Sequence, residues 1–226
     1  MIEQLLNEHQ LNPEKISNLL SDLFVKGTDY ADLYFQHSVA ESWSLEEGIV
    51  KSGTYNISHG VGTRALKGEQ TGFAYSDDLN INAIQQAVDF AKGISKHQTP
   101  QAIQPFQSIP QVAKYNGLSP LGSLTLAEKV DFLKKIDHIA RQEPKVKQVS
   151  ASLSGAYTEV LIVSTEGVYQ KDYRPMVRVS VSVIVEHNGR IEQASSGGCG
   201  GFDYCFFFFY NFIGKYTPKT NRQTPI

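Results

Sequence analysis

The sequence predicts an α+β protein: a curved, mostly antiparallel β-sheet with glycine-rich bends, packed with three to four helices. Three observations carry this. Val177, Val179, Val181, Val183 and Val185 occupy every second position, the period of a strand with one face committed to a core. Two hairpin signals, Lys67-Gly68-Glu69 and Asn188-Gly189, place glycine where a tight loop needs a positive φ. Three stretches show apolar residues at helical spacing, and each begins at a residue that caps helices well.

The elements follow in order. Glu3 to Glu8 forms a short helical turn. Asn12 caps the next helix, Pro13 fits its first turn, and Glu14 faces the positive end of its dipole. Ile16, Leu19, Leu20, Leu23 and Phe24 form its stripe, and Gly27 closes it. Ala31 to Gln36 alternates as a first strand. Glu41 to Asn56 and Gly60 to Asp78 read as strands joined by tight turns, and Gly60, Gly62 and Gly72 mark bends or close approach of another backbone. Asn80 caps a second long helix with Ile81, Ile84, Ala87, Val88, Ala91 and Ile94 on its apolar face. Thr125 and Glu128 make a capping box for a third, striped by Val130, Leu133, Ile136, Ile139 and Ala140. From Val146 the chain is β again. Val160 to Val163 is a buried run ending at Glu166-Gly167, and Ile191 to Ser195 returns as the partner of the valine strand. Gly197 to Gly201 reads as a flexible glycine hairpin or loop after the strand.

This pattern divides the chain into an N-terminal α/β lobe (1–98), a proline-containing loop or linker (99–122), a helix-plus-hairpin lobe (123–205) and a tail (206–226). Four phenylalanines open the tail, Phe206 to Phe209. Its later residues carry no acid and no amphipathic period, so a disordered tail is expected.

With 226 residues the chain can bury a real core, and 19% charged residues suit a globular rather than a disordered protein. The net charge of -2 argues against a nucleic-acid partner, which needs a basic face. Met1 to His9 has no basic n-region, and the longest apolar run, Cys205 to Tyr210, is too short to span a bilayer. A cytoplasmic location with no membrane partner follows. Cys199 and Cys205 are then expected as free thiols.

Chemistry is thinly marked. The histidines at 9, 37, 59, 97, 138 and 187 never take the His-x-x-x-His spacing that aims two imidazoles at one ion. His37 and His59, near Glu41, Glu46 and Glu47, are one candidate donor set, and Cys199 with Cys205 is the other. The first reads more simply as surface or hydrogen-bonded histidines. The second fits neither a zinc knuckle nor a thioredoxin motif. Asp77-Asp78 and Glu46-Glu47 are poor dyads, because strand neighbours point to opposite faces. No Gly-x-Ser-x-Gly occurs. Trp43 and Tyr55 suit a peptide groove, though core packing accounts for most of the aromatics. No catalytic or metal residue is therefore assigned.

Four separated blocks keep order and spacing with one family: DYADLYFQ (29–36), GVGTRALKGEQTGFAYSDD (60–78), SASLSG (150–155) and DYRPMVRVSVSVIVE (172–186). Together they resemble the N-terminal portion of TldD-type members of the TldD/PmbA family. The resemblance runs from about residue 3 to about residue 205, including a glycine-rich stretch near its end. It implies a cytosolic zinc metallopeptidase acting on peptides and small proteins, with maturation of a peptide antibiotic and degradation of an antitoxin as family roles. It also implies a PmbA-type partner subunit. In the family, zinc polarises the scissile carbonyl and activates a water from a His-Glu-x-x-x-His helix in the C-terminal half. That motif is absent from these residues. The resemblance thus leads to an expectation of a truncated or frameshifted, inactive chain that binds no metal itself. A non-catalytic module that takes a peptide or an assembly partner on a sheet edge is the alternative.

Overall fold

The computed structural model describes residues 1–95, 98–107, 114–115 and 117–209. It shows an α+β fold. The helices are α1 (Ile2–Glu8), α2 (Pro13–Leu23), α3 (Ile81–Ala91), α4 (Leu126–Ala140) and the short α5 (Phe206–Phe209). The strands are β1 (Tyr30–Glu46), β2 (Ile49–Lys67), β3 (Gln70–Ser76), β4 (Val146–Ser164), β5 (Tyr169–His187) and β6 (Arg190–Gly200). They form one sheet in the order β3-β2-β1-β4-β5-β6. Successive strands joined by tight turns must run antiparallel. The long connection is antiparallel too: Thr165 N donates to Ala31 O, and Glu47 N donates to Val149 O, so β4 descends as β1 ascends.

Local chemistry sets the boundaries. The Asn12 side chain accepts from Lys15 N and the Asn80 side chain from Ala83 N. At α4 the capping box is complete in both directions. Gly68 takes φ 54° in the β2–β3 hairpin, and Asn188 and Gly189 take 52° and 77° at the β5–β6 turn. The same two-residue geometry joins β1 to β2 at Glu47 (52°) and Gly48 (75°). Helix α2 stops at Leu23, before the expected closure at Gly27.

The chain forms two compact units. The first comprises Met1–Ser38, Ile57–Lys114 and Thr158–Tyr173, and the second Val39–Asn56, Tyr115–Tyr157 and Arg174–Ile226. These units interleave along the sequence. The reason is strand length: β1 runs to Glu46 rather than ending at Gln36, and β1, β2, β4 and β5 each supply residues to both units. In the first unit, α1, α2 and α3 bury Leu6, Ile16, Leu20, Leu23, Ile84 and Val88 against Leu33, Phe35, Val61, Ala65, Leu161 and Val163. In the second, Phe132, Leu133 and Ile136 of α4 pack on Leu45, Val149, Leu153, Val177, Val179 and Val183. Val185, expected in that row, is only half-buried.

Of the hairpin or loop expected at Gly197 to Gly201, the structure shows hairpin strand and not flexible loop: Gly197 to Gly200 pairs with Val177 to Ser180 of β5. The proline segment is pinned to the first unit: Pro100 bridges Val25, and the Gln101 side chain donates to Val25 O and Thr28 O. The start of the tail is ordered. Phe206 to Phe209 is helical, and Phe207 is 1% exposed, packed among Phe132, Phe202 and Phe206. Residues 210–226 lie outside the described residues.

Candidate functional site

His37 and His59 are brought together. They project from β1 and β2 in the first unit with ring centroids 6.4 Å apart and planes 19° apart. His9, at the end of α1, stands with its ring centroid 6.4 Å from that of His59. Burial pushes the His37 imidazole below its ordinary pKa, with Glu159 pulling upward and His59 and the Met1 amino group pulling downward. Glu41, expected beside these histidines, belongs to the second unit. Glu47 is the corner of the β1–β2 turn. His138 and His187 are exposed, and His97 lies outside the described residues.

A catalytic zinc needs three protein ligands at about 2.0–2.3 Å. Two imidazoles on one tetrahedral ion then have centroids about 5 Å apart, closer than either histidine pair. Among the described residues no group of three His, Cys, Asp or Glu side chains is arranged to hold an ion. The residues present do not fit a catalytic zinc, and no step is derived through one.

The second unit holds a buried ionic centre that sequence reasoning missed. Lys129 Nζ lies 2.6 Å from Glu41 Oε1 and donates to Leu121 O at 2.7 Å. The Tyr204 hydroxyl donates to the same Glu41 oxygen at 2.9 Å. Lys129 Nζ also lies 5.2 Å from the centroid of the Tyr204 ring. Burial first, then Glu41, pushes the Tyr204 phenol far up, so it stays a donor. These groups satisfy one another, which makes the centre a tie between β1, α4 and the segment after β6. The signal was present: Lys129 lies on the stripe of Phe132, Leu133, Ile136 and Ala140.

One sheet face of the second unit carries an open groove of about 630 Å³. Ser44, Ser150, Ser152, Ser180, Ser182, Ser195 and Ser196 line it with Arg178, Glu46 and Cys199. Cys199 is exposed and sits opposite Arg178 across the β5–β6 ladder. Cys205 is elsewhere, its thiol 3.6 Å from Ser123 O, and both cysteines are free. Of the aromatic candidates, Trp43 is half-buried against Gly53 and packs on the core, while Tyr55 is exposed on β2. In the first unit, Arg64 pairs with the buried Asp32, its Nε 3.0 Å from Asp32 Oδ2, and its guanidinium lies over the Tyr30 ring at 5.9 Å. The exposed Phe73 is opposite Arg64 on β3.

The family models for PmbA/TldA metallopeptidase domain 1 and for the central domain match residues 31–95 and 119–215. The chain belongs to the PmbA/TldD family. It is 44% identical over 206 residues to a Metalloprotease TldD homolog of Buchnera aphidicola subsp. Schizaphis graminum, covering 91% of this chain and 43% of that protein. A Metalloprotease TldD homolog of Haemophilus influenzae is also 44% identical, over 207 residues, covering 90% and 43%. The chain thus spans less than half the length of these PmbA/TldD relatives. Two solved structures share the fold. A Thermotoga maritima protein described as a modulator of a DNA gyrase superposes with a TM-score of 0.65 at 16% identity, covering 87% of this chain and 43% of that one. TldE from Thermococcus kodakarensis gives 0.60 at 14%, covering 84% and 43%.

The PmbA/TldD domain-1 match contains Asp32, His37, His59 and Arg64, and the central-domain match contains Lys129, the groove-lining Arg178 and Cys199, and Tyr204. The central-domain match also carries past Cys205 to residue 215, beyond the point where the family resemblance was expected to stop. The packing of Phe207 in the core agrees with that extension.

Proposed function

We propose that this chain is the N-terminal portion of a TldD-type zinc metallopeptidase, and that the zinc and its ligands belong to the portion of the family outside these residues. The observation that carries the reading is 44% identity along nine-tenths of the chain to TldD homologues that are more than twice as long. The whole enzyme hydrolyses peptides and small proteins in the cytoplasm, in the manner of peptide-antibiotic maturation or antitoxin degradation. It pairs with a PmbA-type subunit. The fold shared with TldE supports a common scaffold for the two subunits. No described helix is long and apolar enough to cross a membrane.

In this reading the 226-residue chain has no catalytic or metal residue of its own and does not cleave peptides. Two measurements test it. The purified chain, incubated with an unfolded peptide and zinc, is expected to show no chelator-sensitive cleavage, and elemental analysis after dialysis is expected to find no stoichiometric zinc. Cleavage abolished by chelator would overturn inactivity. Sequencing the DNA downstream in all three frames tests ancestry: it is expected to reveal a His-Glu-x-x-x-His segment, and its absence from every frame would remove the enzyme reading.

A further inference from the structure

The groove of the second unit holds two charges that nothing in the fold uses. Strand β5 commits Val177, Val179, Val181 and Val183 to the core, so Arg178, Ser180 and Ser182 stand on its other face. Across the β5–β6 ladder these three sit opposite Cys199, Gly197 and Ser195. Ser150 and Ser152 of β4 and Glu46 of β1 continue the lining. Arg178 Nε donates to Ser180 Oγ at 3.1 Å, which fixes the plane of the exposed guanidinium. Among the described residues neither Arg178 nor Glu46 has an ion-pair partner, and the terminal nitrogens of Arg178 donate to no protein acceptor. The space of about 630 Å³ lies in the range of roughly 300–1,000 Å³ usual for ligand sites.

We propose that this groove binds an extended peptide segment and that Arg178 selects an acidic side chain within it. A guanidinium fork matches a carboxylate with two parallel hydrogen bonds. Serine hydroxyls both donate and accept, so they serve the main chain of a peptide in either direction. Glu46 gives the groove a second, opposite charge. It repels a further acid in the segment and favours a basic residue there, so the charges of the groove complement a peptide that carries one of each. The short serine side chains and Gly197 keep the floor low enough for a backbone to lie close to the sheet. An open groove has no wall to stop a chain end, which favours an internal segment over a terminal carboxylate. The peptidase reading supplies the source of that segment, a substrate chain, and the groove's role depends on it to that extent.

Calorimetric titration of the 226-residue chain with acetyl-Gly-Ser-Glu-Ser-Gly-Ser-Lys-Ser-amide tests this. The same peptide with glutamine in place of glutamate is expected to bind about three- to tenfold more weakly, a test of the Arg178 contact on the unaltered protein. Arg178→Met is expected to bring the glutamate peptide to the glutamine level. Arg178→Glu is expected to invert the preference toward a peptide with lysine at that place. Arg178 is exposed, so thermal melts of both variants are expected to match wild type. Cys199 reports the location: bound peptide is expected to slow its alkylation by iodoacetamide while leaving the rate at Cys205, outside the groove, unchanged. Equal affinity for the glutamate and glutamine peptides, binding unaffected by Arg178→Met, an unchanged Cys199 rate, or no binding of either peptide would overturn the proposal. Binding that requires a free C-terminus would overturn it too. None of these results bears on the downstream metal motif, and absence of that motif with peptide binding retained would remove the peptidase and leave the groove.

Discussion

Lys129 and Glu41 form an ion pair of 2.6 Å with both side chains almost completely buried. One comes from the first turns of α4 and the other from the middle of β1. Taking two charges out of water is costly, and here the cost is offset by the Tyr204 and Leu121 hydrogen bonds that saturate the pair. Removing one member leaves the other charge buried. Lys129→Met is expected to destabilise the second unit by about 3–5 kcal/mol. The double variant Lys129→Met, Glu41→Leu is expected to recover much of that. Urea unfolding of Lys129→Met, Glu41→Leu and the double variant measures it, and a double-variant loss equal to the sum of the two single losses would mean that the pair is not coupled.

Tyr204 supplies a pH test of the same centre. Its phenol is held protonated in the fold, above the ordinary value near 10. A raised acid contributes stability that is present below pH 10 and lost as pH rises beyond it, because only the unfolded chain then ionises. Wild type is expected to lose stability relative to Tyr204→Phe by up to about 1.4 kcal/mol per pH unit above 10. Parallel curves for the two proteins between pH 8 and 11 would contradict the burial of that hydroxyl.

Phe207 tests whether the segment after Cys205 is part of the fold. Phe207→Ala is expected to cost about 3–5 kcal/mol, the range for a large aromatic removed from a packed core. A melting temperature within error of wild type would return these residues to the status of a tail.

Val181 is 7% exposed in the middle of the valine face. Val181→Asp places an unpaired carboxylate there and is expected to cost several kcal/mol, enough to unfold or aggregate the chain. Thermal melts compare the two proteins, and an unchanged midpoint would show that this face is not core.

Gly72 tests a glycine of the Gly60–Asp78 stretch. A Cβ at this position would run into the carbonyl oxygen of Ala91, where α3 ends against β3. Backbone cannot yield as a flexible side chain can, so Gly72→Ala is expected to cost 1–3 kcal/mol or more. Gly68→Ala, at a positive φ with open space around it, separates conformational strain from collision and is expected to cost about 1 kcal/mol. Urea midpoints of the two variants give the comparison.

The sequence by itself determined everything that neighbours along the chain decide. Asn12, Asn80 and Thr125 cap within three residues of themselves, and Asn188-Gly189 turns within two. The valine alternation needs only the pleat. Four short blocks also sufficed to place the chain in its family. Tertiary structure decided what depends on partners distant in sequence. Gly197 to Gly200 has poor strand propensity, and only the ladder offered by β5 makes it a strand. Lys129 sits on the apolar stripe of α4, and its partner is decided only when β1 brings Glu41 beside it. Phe207 reads as the start of a disordered tail until α4 supplies Phe132. The two compact units interleave because four strands are long enough to serve both, and strand length is set by pairing across the sheet rather than by local preference.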